Sequence, residues 1–344
     1  MEIDLANLNT IIQSFSQSQK TISLPDKTEK AISLQKGKTS NTNHYMAKGK
    51  FSSVIQMEPE FWDKNPYKAI TKAFPPGFHF RPYALNKTRQ FYEFILIDSD
   101  SALRFHGCNG LTVKYLRNIN GPGSHISVNG CEGAKFSQIN IHAPQESPNT
   151  DGFDISASKN ILIQDSTIGT GDDCIAINGG SSYISIVGVA CGPGHGISIG
   201  SLGRNQGHET VEEVHVRNCS FTRTTNGARI KTWPGGSGYA RRIIFKQIKL
   251  IDTRNPIIID QYYGHNISMD AAVKVSDVIY RGFSGTSSDA KAIDLQCSKS
   301  GCFNIILNQI NIVSAEQGKH AYASCKNVHG IVISAIPNVS CLLN

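Results

Sequence analysis

Short runs of alternating apolar residues recur from about residue 100 onward, without a convincing helical period. Small polar or ionisable residues stand just before several of these runs. The runs can be aligned as "FDI" at 153, "IAI" at 175, "ISI" at 197, "ARI" at 228, "III" at 257 and "AIDL" at 292. The first two intervals are 22 residues each, and the later ones lie between 29 and 35 residues.

A second alternating run follows each aligned run: "NILIQDSTI", "YISIVGVA", "VEEVHVRNCSF", "RRIIFKQIKLI", "VKVSDVIY" and "NIILNQINIV". A repeated unit of two or three short strands cannot bury its own apolar face alone, which is typical of a β-solenoid. Strands that repeat in the same direction must pair in parallel. We therefore predict an all-β fold, a right-handed parallel β-helix. A β-sandwich is the alternative, but it would need tight hairpin turns, and "NG" between paired apolar runs is not the rule here.

Residues 1–80 follow a different pattern. "ISLPDKTEKAISLQ" and "GKFSSVIQM" could be early strands, and the opening stretch of about 15 residues could form a short helical cap over the open end of a solenoid. We place a boundary near Phe80–Arg81–Pro82. This divides the chain into an atypical N-terminal segment, 1–80, and a β-helix domain, 81–344, which carries the candidate site.

Ionisable residues recur at one phase of the repeat. In a parallel β-helix, equivalent positions on successive coils lie about 4.8 Å apart. Asp151, the pair Asp172 and Asp173, and His195 each stand just before an aligned run. Arg229 and Lys231 lie within the next run, and their spacing of two places both on one face of that strand. We therefore expect these side chains to meet in one patch.

Crowded carboxylates cannot all ionise easily, so at least one should have a raised pKa and keep a proton near neutral pH. A protonated acid beside an ionised one is what cleavage of a glycosidic bond requires. Two nearby cations suit an acidic sugar. Glycines 152, 171, 194 and 196 should leave room for a polymer to approach the backbone.

With these residues assembled, the chain resembles the plant polygalacturonases of glycoside hydrolase family 28. The motifs stand in order as "SPNTDG" (147–152), "GDDCIAI" (171–177), "CGPGHGISIGSLG" (191–203) and "ARIKTW" (228–233). The resemblance runs from about residue 81 to the end. It implies hydrolysis of α-1,4-linked galacturonic acid in de-esterified pectin, with inversion and without a cofactor or metal. Coil spacing alone would place the carboxylates closer than the roughly 6.5–9.5 Å of inverting enzymes and would favour retention.

The resemblance also implies roles for individual residues. Asp172 would be the general acid, Asp151 and Asp173 would activate water, and His195 would orient the acid cluster. Arg229 and Lys231 would bind the galacturonate carboxylate. Asn149 and Tyr263, which has Tyr262 beside it, would be further substrate contacts.

The nine cysteines suggest disulfides and an oxidising compartment, and no CxxC metal spacing occurs among them. The resemblance implies the pairs Cys174–Cys191, Cys297–Cys302 and Cys325–Cys341, and leaves Cys108, Cys131 and Cys219 as small buried thiols. Four N-x-S/T sequons, at Asn86, Asn218, Asn266 and Asn338, fit a secreted cell-wall protein. The opening "MEIDLANLNTIIQSF" is not a signal peptide, so either the start is missing, which we favour, or the protein stays inside.

The formal charge of +7 is compatible with an acidic partner such as pectin but does not decide the partner alone. Basic residues are not interleaved with aromatics, which argues against nucleic acid. No apolar run approaches the roughly 20 residues that cross a bilayer, so we expect no membrane association, and we expect a monomer. Two alternatives to a polygalacturonase stay open: a pectate lyase, which would need calcium, and a catalytically silent β-helix that only binds pectin.

Overall fold

The computed structural model describes residues 101–264 and 271–342, together with the backbone of four earlier strands. Those strands are β1 Glu2–Asp4, β2 Ser53–Gln56, β3 His79–Asn86 and β4 Arg89–Ile95. The strands from 101 to 187 are β5 Ser101–His106, β6 Thr112–Lys114, β7 Arg117–Ile119, β8 Ser124–Asn129, β9 Lys135–Ser137, β10 Asn140–His142, β11 Phe153–Ser156, β12 Lys159–Gln164, β13 Thr167–Gly169, β14 Ile175–Ile177 and β15 Ser181–Val187. The later strands are β16 Ala190–Cys191, β17 Ile197–Leu202, β18 His208–Thr222, β19 Asn226–Thr232, β20 Ser237–Thr253, β21 Asn255–Asp260, β22 Lys274–Ser287, β23 Lys291–Gln296, β24 Cys302–Ser314, β25 Tyr322–Lys326, β26 Val328–Val332 and β27 Ala335–Ile336.

Parallel pairing between successive coils builds two long sheets over the part of the chain from β5 onward. Sheet I has nine strands in the order β5-β8-β11-β14-β17-β19-β21-β23-β25. Sheet II has fifteen strands, fourteen from this part of the chain together with β1, and follows the second run of each coil through β12, β15, β18, β20, β22 and β24. The predicted right-handed parallel β-helix is confirmed, and a sandwich is excluded because these strands do not alternate in direction. A single 3₁₀ turn, Arg204–Gln206, interrupts the described strands.

The register of sheet I follows the repeat read from the sequence. Phe153 lies opposite Ile175, Ile175 opposite Ile197, and Ile197 opposite Ala228. The run at 292 is offset by one residue, because Ile293 and not Ala292 lies opposite Ile257. The aligned runs therefore mark stacked coils of one helix.

Stacked aliphatic side chains fill the interior. Alternate residues of each strand face inward, as the strand period of two requires. In sheet II this produces an unbroken inner column of fully buried side chains: Ile161, Ile184, Val214, Ile243, Val278 and Ile305. Aligned burial of like residues is the main stabilising contribution to the coil stack.

One corner of the coil repeats a left-handed backbone conformation. It is occupied mostly by polar residues and glycines, which adopt a positive φ at low cost when the chain must turn. The equivalent positions are Gln138, Asp165, Gly188, Asn218, Gln247, Gly282 and Gln309. At this repeated corner the chain turns between two consecutive strand segments of sheet II, such as β12 and β13.

The N-terminal region contains a different kind of sheet. Strands β2, β4 and β3 pair antiparallel in that order, and β1 pairs in parallel with β6. The expected helical cap falls largely outside the described residues, apart from β1. The boundary expected at Phe80–Arg81–Pro82 stays a prediction, and those residues lie within β3. No helix among the described residues is long and apolar enough to cross a membrane.

The stacked core predicts a large cost for truncating an inward residue of sheet I. Ile175 is fully buried in β14 between Phe153 and Ile197. Ile175→Ala should lower the free energy of unfolding by about 2–5 kcal/mol, measured by chemical denaturation, because it leaves a cavity in the stack. Ile331→Ala, at a position 56% exposed, is the matched control and should change it by less than about 1 kcal/mol. Equal effects of the two substitutions would contradict this core.

Candidate active site

The sequence-predicted acids lie on the loops that lead into sheet I. The register that aligns β11, β14 and β17 also places Asp151, Asp173 and His195 at equivalent positions, each two residues before its strand. Backbone hydrogen bonds continue the ladder through these loops: the Gly152 N–H donates to Asp173 O, and the His195 N–H donates to Asp172 O. Residues far apart in sequence are therefore neighbours about one strand spacing apart.

Asp173 is the most constrained member of the cluster. Its side chain is only 1% exposed, and both of its oxygens accept hydrogen bonds from cations. Arg229 Nη2 lies 2.6 Å from Asp173 Oδ1, and Lys231 Nζ lies 2.8 Å from Asp173 Oδ2. A buried carboxylate requires such partners, because an uncompensated charge in the interior is strongly destabilising.

Ser198 links the acid and the arginine and was not identified from the sequence. Its hydroxyl donates to Asp173 Oδ1 at 2.8 Å and accepts from Arg229 Nε at 2.8 Å. It is fully buried in β17, on the coil between those of Asp173 and Arg229. The sequence feature that could have identified Ser198 is its outward-facing position in the "ISIG" run, in register with Arg229.

Asp172 and His195 form a second pair. His195 Nδ1 lies 2.9 Å from Asp172 Oδ1, which also accepts the Asp173 backbone N–H at 2.8 Å. An ionised carboxylate is only an acceptor, so the imidazole donates from Nδ1. Burial alone would raise the pKa of Asp172, but the hydrogen bond and charge of His195 outweigh burial and hold this pKa below its ordinary value.

Asp151 has the opposite environment. Burial, and then the negative charges of Asp173, Asp172 and Asp154, raise its pKa to about 8, with only partial relief from Lys231. Asp151 therefore keeps a proton at neutral pH. The sequence led us to expect one protonated acid, and the structure assigns that proton to Asp151 and not to Asp172, the acid implied by the resemblance.

Tyr263 lies beside the cluster. Lys231 Nζ lies 5.2 Å from the centre of its ring, and the ring packs edge-on against Trp233 at 5.3 Å. Tyr262 instead donates its hydroxyl to Cys297 O. Asn149 is exposed with a φ of 55°, in the turn two residues before Asp151. Of the two neighbouring tyrosines, only Tyr263 faces Lys231.

Disulfides join Cys174 to Cys191, Cys297 to Cys302 and Cys325 to Cys341, the pairs that the resemblance implies. The first ties the residue after Asp173 to the start of the "CGPGHG" loop that carries His195. Cys131 and Cys219 are buried free thiols, whereas Cys108 is partly exposed, which differs from the buried position expected for it.

The glycines around the acids have another role than the one expected. A side chain at Gly171 would collide with the carbonyl oxygen of Ser147, and one at Gly196 with that of Asn226. A side chain at Gly152 or Gly194 would likewise meet the backbone of the adjacent coil. These glycines are needed for close stacking of the coils, and the expectation that they also make room for a polymer stays a prediction.

Asp172, Asp173 and His195 also place three ligand atoms within 4.8 Å of one another, a separation suited to a metal ion. Both oxygens of Asp173 already accept from Arg229 and Lys231, however, and these two positive charges would repel a metal cation. The donor set therefore fits a metal poorly. The expected independence from metals and cofactors stays a prediction.

The fold and this acid cluster define a parallel β-helix with carboxylates and cations gathered on sheet I, and comparison with known proteins identifies its family. The sequence profile of Glycosyl hydrolases family 28 matches residues 96–341. The chain belongs to this family, as the motifs predicted.

Curated relatives agree with this family. The chain is 46% identical over 254 residues to a polygalacturonase of Cryptomeria japonica, covering 71% of this chain and 49% of the relative. It is 43% identical over 237 residues to polygalacturonase-2 of Solanum lycopersicum, covering 67% and 52%. The chain thus spans about half the length of the curated relatives it matches.

The fold is shared with an endo-xylogalacturonan hydrolase from Aspergillus tubingensis, with a TM-score of 0.60, 24% identity and 66% of each chain covered. It is also shared with a polygalacturonase from Erwinia carotovora ssp. carotovora, with a TM-score of 0.53, 25% identity, and 68% of this chain and 60% of the other covered.

The raised pKa of Asp151 predicts a pH-dependent change in stability. Below about pH 4 this side chain is protonated in both the folded and the unfolded chain; above that, folding must retain a proton that the unfolded chain releases. Asp151→Asn removes this cost, so it should raise the free energy of unfolding by about 2–4 kcal/mol at pH 8 and by nothing at pH near 3–4. Urea denaturation at both pH values measures the difference.

Asp165→Asn, at an exposed corner of sheet II, is the control and should not change the pH dependence. If Asp151→Asn raises the free energy of unfolding equally at both pH values, or at neither, Asp151 does not carry the proton.

Proposed function

We propose that the protein hydrolyses α-1,4-galacturonosidic bonds of de-esterified pectin, acting as a polygalacturonase that inverts the anomeric centre. The observation that carries this proposal is the cluster on sheet I, in which two cations and an imidazole surround three carboxylates with unequal protonation. Glycosidic hydrolysis needs both a protonated and an ionised carboxyl group. The names of the relatives from Cryptomeria japonica and Solanum lycopersicum support the same activity.

Asp172 is the proposed general acid, and it must gain a proton before it can donate one. A bound galacturonate would exclude water from this partly exposed carboxyl group and bring a negative charge close to it. Both changes raise the pKa of a carboxyl group. The proton on Asp151 lies within the same cluster and is a local source, and His195 orients the Asp172 carboxylate.

Asp173 and Asp151 are the proposed activators of the attacking water. Asp173 is engaged by Arg229 and Lys231 in the free protein. The carboxylate of a galacturonate would compete for the same two cations, and would loosen their hold on Asp173 as it binds. Binding of the substrate would then also free Asp173 from its cations, so that it can act as a base. Asn149 and Tyr263 are proposed as further sugar contacts on either side of this centre.

The three disulfides favour an oxidising compartment, and a pectin substrate would be met in the cell wall. We therefore propose a secreted cell-wall enzyme that acts as a monomer without a cofactor.

Parallel incubations of the purified protein with polygalacturonate, one with added calcium and one with a calcium chelator, test the activity. We expect reducing ends to accumulate without products that absorb ultraviolet light, since hydrolysis makes no double bond. Unsaturated products that require calcium would identify a lyase. Binding of the polymer without any cleavage would identify a silent β-helix.

Asp172→Asn should lower turnover by about 10²–10⁴-fold, because an amide keeps the shape of the side chain but cannot take up and donate the catalytic proton. Reducing-end release measures turnover, while unfolding and polymer-binding measurements check that the fold and affinity are kept. The same substitution at exposed Asp165 should leave turnover unchanged. A parental rate in Asp172→Asn would refute its assignment as the acid.

Lys231→Ala should raise KM for polygalacturonate by about tenfold or more, because a charge-assisted hydrogen bond to the substrate carboxylate is lost. Highly methyl-esterified pectin, which lacks that carboxylate, should be affected less. Lys246→Ala removes an exposed cation from sheet II and is the control for net charge. An unchanged KM in Lys231→Ala, or an equal rise in the control, would contradict a specific role for Lys231.

A further inference from the structure

The outward column of sheet I that contains Lys231 continues towards the C-terminal end of the β-helix. Lys231 lies opposite Asp260, Asp260 opposite Gln296, and Gln296 opposite Lys326. Side chains at equivalent outward positions share one face of the sheet. At a spacing of about 4.8 Å per coil, Lys326 lies roughly 14 Å beyond Lys231 along the helix axis.

Lys326 is positioned by Tyr262. Its Nζ lies 4.8 Å from the centre of the Tyr262 ring, within the range of a cation–π interaction. The tyrosine is fixed at both ends: its hydroxyl donates to Cys297 O at 3.1 Å, and its backbone N–H donates to Asp260 Oδ1 at 2.9 Å. The residue before Lys326 is tied to the chain end by the Cys325–Cys341 disulfide.

The carboxylates on this part of the face are already engaged. Asp294 pairs with Lys291 at 2.6 Å and accepts from Gln296 Nε2 at 2.7 Å, and Asp260 accepts from the Tyr262 N–H. Within residues 101–264 and 271–342, no carboxylate lies within ion-pair distance of Lys326 Nζ. Lys326 is therefore an exposed, oriented cation at the end of the column that begins at the acid cluster.

We propose that Lys326 binds the carboxylate of a galacturonate unit three coils beyond the unit held at Lys231, with Tyr262 as its positioning residue. The inference rests on the proposed function and deepens it: the substrate is a linear polyuronide lying along the helix axis, recognised at two separated carboxylates. A sugar unit is comparable in length to the coil spacing of about 4.8 Å, so the units between them lie over Asp260 and Gln296. Gln296 donates from Nε2 to Asp294 Oδ1 at 2.7 Å and to Ser324 Oγ at 3.2 Å, so its Oε1 is the atom that can accept from sugar hydroxyls along this path.

A length series of unsubstituted galacturonate oligomers, from the dimer upward, tests this subsite by calorimetry in the Asp172→Asn background. Affinity should rise in a further step once an oligomer is long enough to reach from Lys231 to Lys326. Lys326→Ala should reduce this gain in affinity by about fivefold to tenfold, as expected for the loss of one charge-assisted contact at an exposed site. Tyr262→Leu should reduce it by a smaller factor, because the cation is kept but is no longer held in place.

Lys249→Ala is the matched control, since Lys249 is exposed on sheet II and its loss changes the net charge equally. It should preserve the step. An unchanged step in Lys326→Ala, or an equal loss in Lys249→Ala, would overturn the subsite. These outcomes are separate from the fate of the proposed function, which is read from reducing-end release by the parent protein. Lys326-dependent binding without hydrolysis by the parent would retain the subsite and reject the activity, and absence of binding by every oligomer would overturn the subsite whether or not the parent hydrolyses polygalacturonate.

Discussion

The buried carboxylate of Asp173 is the constraint on which the candidate site depends. Its partners come from two other coils: Ser198 on β17, and Arg229 and Lys231 on β19. An ionised side chain that is only 1% exposed is tolerated only with such partners. Removing one of these partners leaves a buried charge without compensation. The register of β14, β17 and β19 therefore has to be kept for electrostatic reasons as well as for the packing of the aliphatic core.

The same arrangement makes three neighbouring carboxyl groups chemically different. Asp173 is neutralised by two cations, Asp172 is held ionised by His195, and Asp151 faces mainly burial and negative charge. Aspartates from two sequence motifs thus form a set in which one carboxyl group, that of Asp151, keeps a proton. Because Arg229 and Lys231 are also the natural partners of an acidic sugar, binding of substrate and rearrangement of charge within the cluster are coupled in the proposed mechanism.

The sequence predicted the architecture well because the interval between Phe153, Ile175 and Ile197 is constant and reports the coil length directly. It also predicted which residues converge, since a fixed phase in a stacked repeat becomes a column in space. It did not reveal Ser198, because a serine in an outward strand position looks like any small polar residue until its two partners are placed. The close-packing role of glycines such as Gly196 was missed for a similar reason: the backbone that fills their space belongs to another coil.

Protonation was the least predictable property. Crowding alone indicated that one acid would keep a proton, but which one depends on the partners that each carboxyl group has, and those are set by side-chain orientation. His195 is placed one coil after both aspartates of the "GDD" motif, and only the structure shows that Asp172 accepts its hydrogen bond while Asp173 is directed to the cations.

A crystal structure of the Asp172→Asn variant with a bound galacturonate oligomer tests the coupling of substrate binding to the acid cluster most directly. We expect a substrate carboxylate about 2.8 Å from Lys231 Nζ and in contact with Arg229, with at least one of these cations drawn away from Asp173. An oligomer bound on another face, or one bound over sheet I while both cations remain on Asp173 and its carboxylate lies elsewhere, would contradict it.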